Sequence, residues 1–128
     1  MGNRDMELKG RKILIVEDDF SSRLYLNKLF EKTGAILYNA LDGQEAFNLV
    51  MGDPGIELVL MDIQLPILDG YTCTRMLREA GKDVIIIAQT AYGLSGDKEK
   101  MLSCGFDDFL IKPISGSQLL QKLALYIR

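Results

Sequence analysis

Short apolar segments alternate along the chain with longer segments of helical periodicity. The predicted strands cover 12–16, 35–39, 57–61, 84–88 and 107–111. The predicted helices cover 20–33, 43–52, 70–80, 96–104 and 116–127. Strands that alternate with helices predict an α/β fold in which helices cover both faces of a parallel sheet. The second strand is less apolar than the others, which suits an edge of that sheet.

Size and charge limit the possible functions. We expect residues 1–10 to form an N-terminal tail and residues 11–128 to form one domain, since 128 residues suit a single domain. A net charge of −3 argues against direct binding of nucleic acid, and the absence of histidine excludes histidine bases and histidine metal ligands. No apolar run approaches the roughly 20 residues of a membrane span, so we expect a cytoplasmic protein with no membrane partner.

Three polar residues are predicted to begin helices. Asp42 is followed three residues later by Glu45, and Ser115 is followed at the same spacing by Gln118. This spacing is typical of a capping box at a helix N-terminus. Asp19 is predicted to begin the first helix, directly after two other acidic residues.

Polar side chains follow four of the predicted strands. Glu17 and Asp18 follow the first strand, Asp62 the third, Thr90 the fourth and Lys112 the fifth. A carboxylate at the end of a buried strand is costly unless a function uses it. Ligands of open parallel sheets bind at the carboxyl ends of the strands. These acids, hydroxyl and ammonium therefore predict a site for a divalent cation and a phosphoryl group.

Four segments in this order resemble the receiver domain of two-component response regulators. They are 13–19, 61–70, 90–91 and 112–113. The resemblance covers residues 11–128 and is closest in pattern to the receivers of hybrid histidine kinases. It implies a flavodoxin-like (βα)5 three-layer sandwich, with five parallel strands in the order 2-1-3-4-5.

The resemblance also implies roles for the acidic residues. Asp62 is the expected phosphorylation site in a phosphorelay. Asp18, Asp62 and the main-chain carbonyl of Gln64 are expected to bind Mg²⁺ directly, and Glu17 through a water molecule. Mg²⁺ suits this group because it prefers oxygen ligands and relieves the repulsion between carboxylates, with Mn²⁺ as a possible substitute.

Thr90 and Lys112 are implied to face the phosphoryl oxygens. Lys112 would supply a positive charge and Thr90 one hydrogen bond, which suits phosphoryl transfer because that reaction depends on positioning and charge neutralisation. The resemblance further implies a cis peptide bond between Lys112 and Pro113.

The resemblance also implies which residues set the lifetime of the phosphoryl group and which residues act as a switch. Gln64 and Tyr92 are expected to flank the path of a hydrolytic water and so to set the lifetime of the phosphoryl group. Movement of Thr90 is expected to let Phe109 turn inward as a switch. The face formed by the fourth helix, fifth strand and fifth helix would then change shape for a downstream protein.

The implied donor is a phosphohistidine on a histidine kinase or a histidine phosphotransfer protein. The protein is expected to catalyse only its own phosphorylation and dephosphorylation, as a monomer or a phosphorylation-dependent dimer. Two alternatives are a degenerate receiver that serves only as an interaction module and, less favoured, a phosphatase with Asp62 as nucleophile. Such phosphatases usually need a second acid two residues later, where this chain has Gln64.

Overall fold

The computed structural model describes residues 7–91 and 95–127. The strands are Lys12–Val16 (β1), Ile36–Ala40 (β2), Ile56–Asp62 (β3), Ile85–Thr90 (β4) and Asp108–Ile111 (β5). The helices are Phe20–Leu29 (α1), Gly43–Gly52 (α2), Gly70–Glu79 (α3), Ser95–Cys104 (α4) and Gly116–Tyr126 (α5). The strands form one parallel sheet in the order β2-β1-β3-β4-β5, which confirms the predicted fold and topology.

The ends of β3 and β4 bear on the site, and the end of α1 differs most from its predicted position. β3 and β4 extend to Asp62 and Thr90, so each of these polar residues is the last residue of its strand rather than part of the following loop. Helix α1 ends at Leu29 instead of residue 33, because the chain tightens into turns in which Phe30 N–H donates to the Asn27 carbonyl. The remaining boundaries agree with the predicted ones to within two residues.

The core consists of two apolar layers, one on each face of the sheet. Alternate residues of a strand face opposite sides, so Val59 and Met61 pack into one layer and Leu58 and Leu60 into the other. The first layer lies under α2, α3 and α4, and the second lies under α1 and α5. Burying each such aliphatic side chain contributes about 1.5–3 kcal/mol. This packing holds the ends of the strands in a fixed arrangement.

Leu8 corrects the predicted N-terminal tail. This residue is fully buried in the layer under α1 and α5, and its N–H donates to the Thr33 carbonyl at 2.8 Å. The packed structure therefore includes residues ahead of position 11. The prediction missed Leu8 because a single apolar residue between polar neighbours carries no periodic signal.

The predicted helix starts are confirmed. Asp19 accepts a hydrogen bond from Ser22 N–H at 2.9 Å, and Asp42 accepts one from Glu45 N–H at 2.7 Å. Ser115 forms the reciprocal capping box at the start of α5. Because α1 begins at Phe20, with only three residues between it and the end of β1, its Asp19 cap fixes the direction in which the chain leaves β1.

Arg78 joins the end of α3 to the loop that precedes β5. Its guanidinium donates to the carbonyls of Lys82 and Gly105 at 2.9 Å and of Val84 at 2.8 Å. It also pairs with Asp107 at 2.9 Å. The charged side chain of Arg78 thus satisfies three main-chain carbonyls and joins α3, the segment before β4 and the segment before β5.

Replacing Arg78 with alanine should therefore destabilise the fold. The carbonyls would lose a charged donor, and we expect the free energy of unfolding to fall by about 2–4 kcal/mol. Urea denaturation measures this change. The exposed Arg75 on the same helix provides the control, since Arg75→Ala should cost no more than about 0.5 kcal/mol. Equal losses in the two variants would contradict this role for Arg78.

Candidate functional site

An ion-paired cluster lies at the carboxyl ends of the central strands. The ammonium nitrogen of Lys112, just after β5, is 2.9 Å from Asp62 Oδ2 and 3.6 Å from Glu17 Oε1. Glu17 follows β1 and Asp62 ends β3, so the side chain of Lys112 reaches across β4 to meet them. The sheet order thus brings together three residues that are widely separated in sequence.

Three carboxylates are gathered within this cluster. One carboxylate oxygen from each of Glu17, Asp18 and Asp62 lies within 4.8 Å of the other two. Glu17 and Asp62 are buried, whereas Asp18 is exposed. Burial, followed by repulsion from Asp62, raises the pKa of Glu17 to about 7, although the hydrogen bond from Asp19 N–H and the charge of Lys112 oppose this rise.

Lys112 is held by main-chain contacts as well as by its ion pairs. Its N–H donates to the Thr90 carbonyl at 2.7 Å, and its peptide bond with Pro113 is cis, as the resemblance implies. Burial alone would lower the pKa of Lys112, but the hydrogen bond to Asp62 and the charges of Asp62 and Glu17 raise it above its usual value. The lysine therefore carries a fixed positive charge beside Asp62.

The loop from β3 to α3 shapes the other side of Asp62. Gln64 N–H donates to Asp62 Oδ1 at 3.0 Å. A Cβ atom on Gly70 would lie only 2.4 Å from the Asp62 carbonyl oxygen, so this close approach requires glycine. Ile67 has a φ of 67°, which is costly for a β-branched residue, and its side chain is 81% exposed. The loop that follows Asp62 thus holds a strained backbone conformation at Ile67.

Thr90 and Phe109 lie on the opposite face of the sheet from Gln89. Ala88 pairs with Phe109 and Thr90 with Ile111, and both Ala88 and Phe109 pack in the layer under α2, α3 and α4. Thr90 is buried, whereas Phe109 is only partly buried. The switch roles of Thr90 and Phe109 remain predictions. Tyr92 lies outside the described residues.

The residues present fit a hard divalent cation. All three side-chain donors are carboxylates, the ligand type that Mg²⁺ prefers. Glu17 Oε1 is buried and has no hydrogen-bond partner within the described part of the chain. A buried acceptor normally has a partner, so this oxygen favours a ligand or an ordered water at the site.

Two residues that the sequence reasoning did not single out support the cluster. Arg23 donates to the carbonyls of Glu17 at 3.1 Å and Asp18 at 3.4 Å. The buried amide of Gln89 donates to carbonyls of β1 and β3. Gln89 left a signal in the sequence, since it is the polar residue that follows the apolar run 84–88. Arg23 left none beyond its position one turn into α1.

Comparison with known proteins places the chain in a family. The model of the response regulator receiver domain matches residues 13–124. The chain belongs to this family. It is therefore a receiver domain of two-component phosphorelay signalling, as the motifs at the strand ends indicated.

Relatives and solved structures agree with this assignment. The receiver is 38% identical to the probable transcriptional regulatory protein SilR of Salmonella typhimurium, over 91% of this chain and 51% of that protein. It therefore spans about half the length of this curated relative. The receiver domain of the sensor histidine kinase PA1611 from Pseudomonas aeruginosa, solved with a magnesium ion in its active-site cleft, is 36% identical with a TM-score of 0.83. That match covers 92% of this chain and 98% of the other.

A third match comes from a complex. The co-crystal structure of the Saccharomyces cerevisiae histidine phosphotransfer protein Ypd1 with the receiver domain of Ssk1 matches at 30% identity and a TM-score of 0.87. It covers 97% of this chain and 91% of that chain.

Within residues 7–91 and 95–127, no helix has the length and apolarity that a membrane span requires.

The raised pKa of Glu17 predicts how stability depends on pH without divalent cations. An unfolded glutamate loses its proton near its usual pKa of 4.5, whereas the folded protein keeps the proton until about pH 7. The folded state binds more protons across this interval, so this group's contribution to stability declines as pH rises through it. Urea denaturation in EDTA should show that decline in the wild type and a smaller one in Glu17→Gln. Parallel pH profiles for the two proteins would contradict the assignment.

Proposed function

We propose that this receiver accepts a phosphoryl group on Asp62 from a phosphohistidine of a histidine kinase or a histidine phosphotransfer protein. One observation carries the proposal: the buried carboxylate of Asp62 lies between the Lys112 ammonium and the Gln64 N–H, beside two further carboxylates. The complex of Ypd1 with the Ssk1 receiver supports the class of partner.

The transfer needs few groups beyond those in the cluster. A carboxylate oxygen of Asp62 attacks phosphorus, and an O–P bond forms as the P–N bond of the phosphohistidine breaks. The imidazole nitrogen leaves with that electron pair and the product is an acyl phosphate. Lys112 offsets negative charge on the phosphoryl oxygens, and Thr90 donates a hydrogen bond to one of them.

Asp18, Asp62 and the main-chain carbonyl of Gln64 would hold Mg²⁺ or Mn²⁺, with Glu17 acting through a water molecule. The bound cation supplies positive charge against the phosphoryl oxygens and lowers the repulsion among the carboxylates. The magnesium ion in the PA1611 receiver supports this choice of metal. The carboxylate cluster and the buried Glu17 Oε1 of this chain support it independently.

Loss of the phosphoryl group follows the same route with water as nucleophile. Water attacks phosphorus, the O–P bond to Asp62 breaks, and inorganic phosphate leaves as the carboxylate re-forms. Gln64 and Tyr92 would flank the path of this water and set how long the phosphoryl group lasts. The protein thus catalyses its own phosphorylation and dephosphorylation without turning over an external substrate.

The test is phosphorylation by acetyl phosphate, followed by intact-mass spectrometry. The wild type should gain one phosphoryl group only when Mg²⁺ is present, and Asp62→Asn should gain none. Asp19→Asn is the matched control: Asp19 belongs to the acidic run after β1, but it caps α1, and asparagine caps helices equally well. This control should be phosphorylated like the wild type.

Two results would contradict the proposal. A gain of the same size in Asp62→Asn would place the acceptor elsewhere. Absence of any gain in the wild type, with the circular dichroism of a folded α/β protein, would favour the interaction module that accepts no phosphoryl group.

We propose that a downstream protein binds the face formed by α4, β5 and α5. A groove of about 460 Å³ lies there between β5 and α5, lined by Phe109, Ile111, Gln118, Lys122 and Leu125 among others. Ile111 and Leu125 expose large apolar side chains beside it. Thr90 lies two residues beyond Ala88, the register partner of Phe109, and on the same face, so movement of its side chain would open space for the aromatic ring.

Replacing Phe109 with alanine should uncouple this face from the phosphorylation site. Beryllofluoride, which mimics a bound phosphoryl group, should shift the amide resonances of α5 in the wild type. Those shifts should shrink in Phe109→Ala, whereas the shifts near Asp62 should persist. Two-dimensional NMR measures both regions in one sample, and Ile36→Ala, at the exposed far edge of the sheet, serves as control. Unchanged shifts in α5 of Phe109→Ala would contradict the switch.

A further inference from the structure

Gln89 is a buried polar residue that follows the four apolar residues at the start of β4. Its side chain is 1% exposed and lies on the face of the sheet that carries Asp62, its partner in the β3–β4 register. Its amide nitrogen lies 3.4 Å from the Val16 carbonyl oxygen and 3.3 Å from the Leu60 carbonyl oxygen. One amide on β4 therefore reaches over β3 to β1.

The two carbonyls that Gln89 contacts lie next to the acidic cluster. Val16 directly precedes Glu17, and Leu60 lies two residues before Asp62. The main chain of Gln89 adds a further link, since its carbonyl accepts a hydrogen bond from Ile63 N–H at 3.3 Å. Gln89 thus contacts the main chain on both strands from which the carboxylates emerge.

Repulsion between the carboxylates gives the contacts of Gln89 with β1 and β3 a role beyond packing. Three carboxylates within 4.8 Å repel one another, and the repulsion acts to separate the end of β1 from the end of β3. Lys112 neutralises part of that charge from β5 but does not tie the two main chains together. Arg23 holds the carbonyls of Glu17 and Asp18 but makes no described bond to β3.

We propose that Gln89 is a positioning residue that holds Glu17 and Asp18 at a fixed separation from Asp62, and thereby sets the affinity of the cluster for a divalent cation. It acts through the strand ends and contacts none of the reacting atoms. The inference rests on the proposed function in one respect, namely that the carboxylates bind the cation.

Gln89→Met tests this role because it keeps the length of the side chain and removes the donor. We expect Mg²⁺ binding to weaken by about tenfold, the low end of the range for groups that orient metal ligands. A calorimetric titration with MgCl₂ measures the affinity directly. Ile87→Val is the matched control, since Ile87 is buried on the same face of β4 and its loss of a methyl group should leave Mg²⁺ affinity unchanged.

A double-mutant cycle separates positioning from packing. At pH 9, Glu17→Gln removes one negative charge, so Gln89→Met should reduce stability less in that background than in the wild type, as measured by urea denaturation in EDTA. A packing role would give equal reductions in both backgrounds. If Gln89→Met does not fold, Gln89→Asn replaces it, because a side chain one methylene shorter cannot reach both carbonyls.

Wild-type Mg²⁺ affinity in the Gln89 variant, or equal reductions in the cycle, would overturn the inference. That failure is distinct from failure of the proposed function. A wild type that is phosphorylated on Asp62 beside an unaltered Gln89 variant would refute only the positioning role. A wild type that takes up no phosphoryl group would refute the proposed function, and the cycle in EDTA would still report on Gln89.

Discussion

Several carboxylates lie together at one edge of the sheet, and the contacts around them offset the cost of that arrangement. Such a group is unstable in isolation because burial and mutual repulsion both penalise the charged forms. The ion pair between Lys112 and Asp62 offsets part of that cost. The side chains of Arg23 and Gln89 donate to main-chain carbonyls near the strand ends that carry the acids. The site is therefore poised to gain stability from an added cation.

The proposed phosphorylation of Asp62 would act on a distant surface through the same geometry. Alternation along β4 sends Gln89 toward the acidic cluster and Thr90 toward the layer in which Phe109 packs. A phosphoryl group on Asp62 would interact with both Lys112 and Thr90. Of these two residues, Thr90 shares a face of the sheet with Phe109. In the proposed mechanism, one face of β4 would support the acids and the other face would transmit the signal.

Most of the fold could be predicted from the sequence because its signals are local. Apolar runs, helical periodicity and the caps at Asp19, Asp42 and Ser115 each depend on a few neighbouring residues. Asp62 and Lys112 could be found for a related reason, since parallel strands bring their carboxyl ends to a common edge.

The supporting contacts could not be predicted in this way. Gln89 meets carbonyls 73 and 29 residues away in sequence, and this reach depends on strand order and register. Arg78 likewise contacts Gly105 across 27 residues. The burial of Leu8 and the early end of α1 follow from tertiary packing and from local turns that periodicity does not encode.

Chemical trapping of the phosphorylated residue would identify the acceptor without relying on a substitution. Borohydride reduces an aspartyl phosphate to homoserine, and peptide mass spectrometry then identifies the position that was modified. After treatment with acetyl phosphate and Mg²⁺, we predict homoserine at position 62 and at no other aspartate. An unreduced Asp62 in protein that carries a phosphoryl group, or reduction at Asp18 instead, would contradict the account.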